Sequence, residues 1–582
     1  MRLEDYWGIG PKTRDLLADE LGVERAVEAI ETADTRALVG AGLSQGRATR
    51  ILRRAQGGEA MDVLATRDTR EVYKEILDLA GEYALTEDAA SRIRILTPLG
   101  TRAEMADRID RVLEAREAWT ALDDETRAAV ETAFEEGAAG GELAAVRTAL
   151  ALSAAGVSAG VFEPIDELDE GVLDDAAAAL AGLRGDDDRI GEGADARLDS
   201  LRATLASVED MAATPESVAE EVQSGARGPD DFRETLVRHV TSETDVDVAR
   251  VREAMPGEAT DAGDFVAETL RALAGDLRTA VEQREAEVAD RLEETLDSAR
   301  EVVDAAVRAV DDVALYVSLA RFAEAFDLER PTFVDRETVA VENARNLSLV
   351  AGGVPVQSVT YGIGDHDLDV PEPAPPRDHR VAVLTGANSG GKTTLLETLC
   401  QVQLLAQMGL PVPADSAEVG VVDAVVFHRR HASFNAGVLE ATLRSVVPPL
   451  TDEGRTLMLV DEFEAITEPG SAADLLHGLV RLSVDRAALG VFVTHLADDL
   501  EPLPPEARVD GIFAEGLTPD LDLEVDYQPR FETVGRPTPE FIVSRLVANA
   551  GDRSERAGFE TLAEAVGEEA VQRTLSDARW SA

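Results

Sequence analysis

The sequence predicts a multidomain protein of the α plus α/β class, helical for roughly its first 330 residues and layered α/β after them. Length is the first reason, since 582 residues is about four times a typical domain of roughly 150. Periodicity is the second. From about 61 to 330 the chain is built from Ala, Leu, Glu, Asp, Arg and Val, with apolar residues at helical steps of three and four. The third is a change of texture near residue 331, where short, nearly continuous apolar runs begin to alternate with helical stretches.

Composition narrows the class. Hydrophobic residues make up 45%, enough to bury sizeable cores. Cys400 is the single cysteine, which excludes an intrachain disulfide and any multi-cysteine zinc or iron–sulfur centre. No apolar run reaches the roughly 18 to 20 residues of a membrane span, and Met1-Arg2-Leu3-Glu4-Asp5 does not open like a signal peptide. The expected setting is soluble and cytoplasmic, without a membrane. The chain carries 114 Asp plus Glu against 56 Lys plus Arg, a net charge of −58. Among its basic residues only Lys12, Lys74 and Lys392 are lysine. Such an acidic, lysine-poor surface suits a cytoplasm at molar salt, where screening quenches self-repulsion within a few Å. The bulk acidity is therefore read as halophilic solvent adaptation and says little about partners.

The elements fall into four stretches. Residues 1–56 form a neutral module, with Arg36, Arg47, Arg50, Arg53 and Arg54 clustered where Glu59 is the only acid between Thr35 and Ala60. Two glycine turns, Gly8–Thr13 and Gly40–Arg47, each open a helix as a hairpin does. Gln56-Gly57-Gly58-Glu59 reads as a linker. Residues 57–330 form an all-helical core. Its longest helix runs from about 265 to 326 through Leu270, Leu277, Val288, Val303 and Val310. Some 60 residues at 1.5 Å rise span roughly 90 Å, a coiled-coil or bundle arm. Arg70–Glu82, Arg102–Ala121, Asp124–Glu136, Leu173–Leu183 and Ala194–Ala213 are shorter helices, and Asp186-Asp187-Asp188 is a solvated loop. Residues 331–545 hold the strands Val339–Val341, Val381–Leu384, Val421–Phe427, Leu457–Val460 and Val491–Val493. Pro371–Pro376 is an exposed connection, and 546–582 turn helical again.

Phosphate chemistry concentrates in the α/β part. Gly386-Ala387-Asn388-Ser389-Gly390-Gly391-Lys392-Thr393 fits G-x-x-x-x-G-K-[ST] between a strand and the helical run Thr394–Gln407, the context that makes the pattern meaningful. In such a loop backbone N–H groups wrap phosphates at a helix N-terminus, Lys392 reaches the β- and γ-phosphates, and Thr393 offers its hydroxyl to Mg²⁺. Further on, the strand Leu457–Val460 ends in Asp461-Glu462: Asp461 to orient Mg²⁺, Glu462 to polarise the attacking water. The strand Val491–Val493 ends in Thr494-His495, which places His495 to sense the γ-phosphate. Glu462, His495 and Lys392 are the candidate catalytic residues, and ATP with Mg²⁺ the expected cofactors.

These residues resemble a known family. Thr385 through Thr394 is similar to the phosphate loop of MutS proteins, and Gln407-Met408-Gly409-Leu410-Pro411-Val412-Pro413-Ala414 to the G-x-x-V-P-A stretch that follows it there. Asp461-Glu462 and Val493-Thr494-His495 stand where that family keeps its other ATPase motifs. Glu342–Asn346 looks like its junction between core and ATPase, and Asp312–Ala320 like the end of its core helix. The resemblance covers about residues 260 to 545. It implies an ABC-type P-loop ATPase domain over 331–545, a homodimer with a C-terminal helical dimerisation segment over 546–582, and sites completed by the partner's signature segment. Ser433–Glu440 falls at that segment but departs from S-T-F-x-x-E, leaving Ser433 and Asn435 as alternatives for the residue that faces the partner's γ-phosphate. Phe463–Gly470 departs as well, replacing G-R-G-T-S-T.

The resemblance lacks a mismatch-reading wedge, because the F-x-E triplets Phe322–Glu324 and Phe513–Glu515 lie elsewhere, and lacks an Smr-like nuclease module. The whole looks like the archaeal branch of MutS-related DNA-binding proteins: tandem helix-hairpin-helix, helical core with clamp, ATPase. It implies an ATP-dependent protein holding double-stranded or branched DNA with weak sequence preference. Gly8, Gly10, Lys12, Gly40, Gly42, Arg47, Arg50 and Arg54 are the DNA-contact candidates. Three other readings fit the same sequence: an ABC-type partner-remodelling ATPase that never touches DNA, an SMC-like structural ATPase, and a mismatch or branched-DNA sensor.

Overall fold

A computed structural model describes residues 2–183, 190–386, 391–430, 436–462, 469–518, 523–535, 539–567 and 571–575. The chain clusters into two compact units, one made of residues 1–123 with 312–582 and the other of 124–311. Among the described residues, no helix is long and apolar enough to cross a membrane.

The first unit opens with four short helices, α1 (Pro11–Glu20), α2 (Val23–Glu31), α3 (Thr35–Gly40) and α4 (Gln45–Gly57). Leu17, Ile30, Leu38, Ile51 and Leu52 are fully buried between them. Pro11 at the first helical position follows the Gly10 cap, and Gly8 and Gly42 take positive φ of 84° and 93°. The segment expected as a linker is instead the end of α4 running into a 3₁₀ turn. The reason is close packing: a Cβ on Gly57 would stand 2.6 Å from Met61 and 2.9 Å from Thr97. Helix α5 (Arg67–Gly81) follows.

Among the described residues, ten strands make two sheets. β1 (Thr332–Val334), β2 (Thr338–Ala344), β3 (Val359–Gly364) and β5 (Ser416–Gly420) form the smaller, in the order β1-β5-β2-β3. β4 (Val381–Gly386), β6 (Ala424–His428), β7 (Thr456–Asp461), β8 (Leu489–Val493), β9 (Ala507–Leu517) and β10 (Leu523–Arg530) form the larger, in the order β10-β9-β4-β8-β7-β6. All pairs in the larger sheet are parallel except β9 with β10. Val383, Met458, Val460 and Phe492 are fully buried beside Leu476 and Val480 of the helix Pro469–Asp485, the two-sided burial that makes parallel strands read as continuous apolar runs.

Two polar devices position this sheet. Asp510 of β9 accepts from the Tyr361 hydroxyl of β3 at 2.8 Å and from Arg508 at 2.9 Å, tying the sheets together through groups nearly excluded from solvent. The free edge of β6 is capped by side chains: Thr66 Oγ1 donates to Phe427 O at 2.6 Å and Thr69 Oγ1 to Val425 O at 2.9 Å. Hydroxyls thus satisfy an edge that would otherwise offer unpaired backbone groups.

The second unit is helical. Its described helices include Asp124–Glu136, Glu142–Ala154, Glu170–Leu183, Ala196–Ala213, Pro215–Gly225 and Pro229–Glu243. The long helix Ala262–Ala325 has 64 residues, and the boundary between units falls inside it at Asp311–Asp312. Within the second unit Leu270, Leu273, Val288 and Leu292 of that helix are buried against its neighbours, and Gly182 lies so near that a Cβ would meet Leu292 at 2.8 Å. The Asp186–Asp188 run lies outside the described residues.

Candidate functional site

The site sits at the carboxyl ends of adjacent parallel strands, where open α/β sheets bind ligands. β4 ends at Gly386, and the helix Lys392–Gln407 begins after Gly391. Both glycines answer a steric demand. Gly386 has φ 131°, and a Cβ there would lie 2.1 Å from Ile512 O; Gly391 has φ 73° and would push a Cβ to 2.7 Å from the Tyr527 ring. Lys392 is buried, and its Nζ donates back to Gly386 O at 3.1 Å, at the end of β4. Ala387, Asn388, Ser389 and Gly390 lie outside the described residues.

Asp461 closes β7, and Thr393 Oγ1 donates to its Oδ2 at 2.7 Å. Its Oδ1 is buried without a hydrogen-bond partner among the described residues. Burial raises the Asp461 pKa, a push the Thr393 hydrogen bond partly opposes. A buried, unsatisfied carboxylate oxygen beside a hydroxyl is a hard-oxygen donor set that fits Mg²⁺, which takes one or two carboxylates with substrate phosphates. Among the described residues no group of three or more His, Cys, Asp or Glu gathers as a metal cage.

Glu462 follows in a left-handed backbone conformation, φ 41°, with its N–H bonded to Val493 O at 3.0 Å. This turn points its carboxylate to two partners. His495 Nε2 stands 3.0 Å from Oε1, and the Arg430 guanidinium 2.5 Å from Oε2. The His495 hydrogen bond is the largest cause holding the Glu462 carboxyl below its ordinary range. His495, expected beside a γ-phosphate, is thus engaged with the expected water-polarising residue.

Lys392, Thr393, Thr394, Asp461, Glu462 and Gly391 line one cavity of about 770 Å³ together with Asn346, Gln357 and Tyr527. Two residues that sequence reasoning missed also line it, Arg429 and Arg430, directly after β6. Arg429 reaches Glu397 at 3.1 Å and Glu75 at 3.3 Å, and its N–H donates to Asp68 at 2.7 Å. Their signal was positional: two arginines at the end of a third strand of the same sheet. Ser433 and Asn435 lie outside the described residues, as do residues 463–468.

The DNA-contact candidates divide between two places. Gly8, Gly10 and Lys12 lie at the start of α1, Gly40 ends α3 and Gly42 lies between α3 and α4. Arg47 joins the two turns by donating to Thr13 Oγ1 at 2.5 Å. Arg50 and Arg54 instead face a separate cavity shared with α5.

Residues 382–443 match the family model described as MutS domain V. The chain is 45% identical over 191 residues to the DNA-binding protein MutS2 of Pyrococcus furiosus, a match covering 33% of this chain and 34% of that protein. It is 26% identical over 492 residues to the Endonuclease MutS2 of Solidesulfovibrio magneticus, covering 76% and 58%. A DNA mismatch repair protein MutS of Salinibacter ruber is 31% identical over 200 residues, covering 32% and 21%. The matches thus span less than two thirds of the length of each of these relatives.

Proposed function

The chain belongs to the MutS family, and from that premise we propose that it is an ATP-hydrolysing, DNA-binding protein that works as a homodimer. One observation carries the reading: Lys392, Thr393, Asp461 and Glu462, from two strand ends, converge on a single cavity of about 770 Å³. That size suits a small-molecule site.

Each side chain then has a task. The Lys392 ammonium and the N-terminal N–H groups of its helix hold the β- and γ-phosphates. Thr393 and Asp461 would hold Mg²⁺, which when bound neutralises phosphate charge. Glu462 orients the attacking water, and the His495 hydrogen bond at 3.0 Å fixes the plane of that carboxylate. Arg430 pairs with the other carboxylate oxygen, and its charge lowers the basicity of Glu462 toward that water.

DNA falls to the N-terminal module, read as tandem helix-hairpin-helix. Its glycine turns offer backbone N–H groups, with Lys12 and Arg47 beside them, to phosphates of either strand without reading bases. In molar salt four such contacts lose roughly 4000-fold in affinity between about 0.2 M and 2 M. Retention is therefore assigned to the homodimer closing around DNA, with ATP governing the closure.

ATP turnover of the full chain with and without duplex DNA tests the assignment. Stimulation or suppression by DNA that Arg47→Ala weakens supports it. Turnover indifferent to any DNA would favour a partner-remodelling ATPase instead.

A further inference from the structure

A second cavity, of about 750 Å³, lies between α4 and α5 and shares no lining residue with the first. Arg50, Arg53 and Arg54 of α4 line it, facing Arg67, Arg70 and Lys74 of α5. Among the described residues that line it, two are carboxylates, Asp62 and Glu71. These are taken by Arg54 and by Arg67, each at 2.9 Å. Arg50, Arg53 and Arg70 donate instead to backbone carbonyls, of Gly46 at 3.1 Å, Arg94 at 2.6 Å and Leu64 at 3.1 Å. Among the described lining residues six cations stand against two carboxylates, with Lys74 also 3.7 Å from Asp78 outside the lining, and in a chain of net charge −58 this makes a local anion trap.

Trp7 stands on the same wall, 60% exposed. An indole face beside cations is the pairing that takes a base and its phosphate together: the ring stacks on the base, and the cations hold the backbone. A duplex keeps its bases stacked inside and presents phosphates on a convex surface, so it leaves a concave hollow unfilled. An unpaired nucleotide fills it.

We propose that the hollow between α4 and α5 binds an unpaired stretch of nucleic-acid strand, with Trp7 stacking on a base and Arg50, Arg53, Arg70 and Lys74 holding its phosphates. The proposal rests on the reading that α1–α4 hold duplex DNA, because the strand that leaves the duplex beside that module is the one that enters the hollow. Stacking is not screened by ions, so this contribution persists in salt that weakens phosphate contacts.

Fluorescence anisotropy of the full chain, with a blunt duplex and the same duplex carrying a single-stranded tail, tests this in molar KCl. The tailed DNA binds about tenfold tighter. Trp7→Ala and Lys74→Gln each remove most of that gain and leave blunt-duplex binding unchanged, whereas Trp7→Phe retains it. Arg47→Ala weakens both DNAs alike. Tailed DNA bound without any blunt-duplex binding would sink the duplex reading and keep the hollow. A blunt duplex bound as tightly as the tailed one, or a tail gain untouched by Trp7→Ala, would overturn the hollow alone. Displacement of the tail by polyglutamate or by thymidine monophosphate at comparable concentration would reassign it to an acidic protein or a free nucleotide, and so overturn the proposal.

Discussion

Arg430 and His495 share the carboxylate of Glu462, at 2.5 Å and 3.0 Å, one on each oxygen. A carboxylate so held is oriented and keeps a lone pair on each oxygen for a water, but the Arg430 cation weakens its pull on that water's proton. His495 orients the carboxylate, whereas the Arg430 ion pair opposes its action as a base. Arg430→Gln is therefore expected to raise basal, DNA-independent ATP turnover a few-fold. Steady-state phosphate release measures it, and a fall in turnover would mean that Arg430 serves the reaction directly.

The loop glycines give a steric prediction. Gly391→Ala places a Cβ 2.7 Å from the Tyr527 ring at φ 73°, and the left-handed backbone alone costs about 1–2 kcal/mol. Nucleotide affinity should drop about tenfold in consequence, one decade per 1.4 kcal/mol. Adding Tyr527→Ala relieves the clash but not the backbone cost, so the double variant recovers only part of the loss. Full recovery in a nucleotide titration would place the whole effect on the ring.

The capped edge of β6 is a stability element. Thr69→Val keeps the side chain's shape and removes the hydroxyl that donates to Val425 O at 2.9 Å and accepts from Phe427 N at 3.0 Å. Phe427 N–H keeps Thr66 Oγ1 at 3.3 Å, whereas leaving the buried Val425 carbonyl without its donor costs about 1–3 kcal/mol. Denaturant unfolding should show that loss, and an unchanged midpoint would show that β6 needs no cap.

Asp195 is expected to make the helical unit sensitive to acid. Arg284 reaches its carboxylate at 2.6 Å and Arg291 at 3.3 Å, and Leu198 N–H adds a cap bond at 2.9 Å. Together, with Arg284 the largest cause, they hold its carboxyl well below the usual range. A carboxylate depressed in the folded state stabilises above its unfolded pKa of about 3.9, and that contribution fades as pH falls through the folded value. Asp195→Asn, which still caps a helix, should lower the melting temperature at pH 7 and flatten its decline toward pH 3. A variant that declines as steeply as the parent would assign the acid sensitivity elsewhere.

How much of this was legible in the sequence depended on what each residue must satisfy. The loop around Lys392 was readable because its glycines answer a backbone constraint that no other residue meets. The strand β7 and the pair Asp461-Glu462 were readable because a buried parallel strand is uniformly apolar until it ends. β9 was not read as a strand, because Arg508 and Asp510 look like surface charges when they are in fact a buried pair, 4% and 0% exposed. β3 was hidden by its own glycines, Gly362 and Gly364. Arg429 and Arg430 carry no motif, and their importance comes from β6 standing beside β7, a neighbour relation that linear spacing does not contain. The false linker at Gln56–Glu59 shows the converse: Gly57 is glycine for lack of room, not for freedom.

The central claim is that Lys392, Asp461 and Glu462 act together on one triphosphate. Single-turnover ATP hydrolysis by the full chain, comparing the parent with Lys392→Ala and Glu462→Gln, tests it most directly. The account predicts that Lys392→Ala neither binds nor splits ATP, while Glu462→Gln binds it normally and splits it about 10²- to 10⁴-fold more slowly, the range for losing a positioned base. Hydrolysis at the parent rate by a folded Lys392→Ala protein would contradict it.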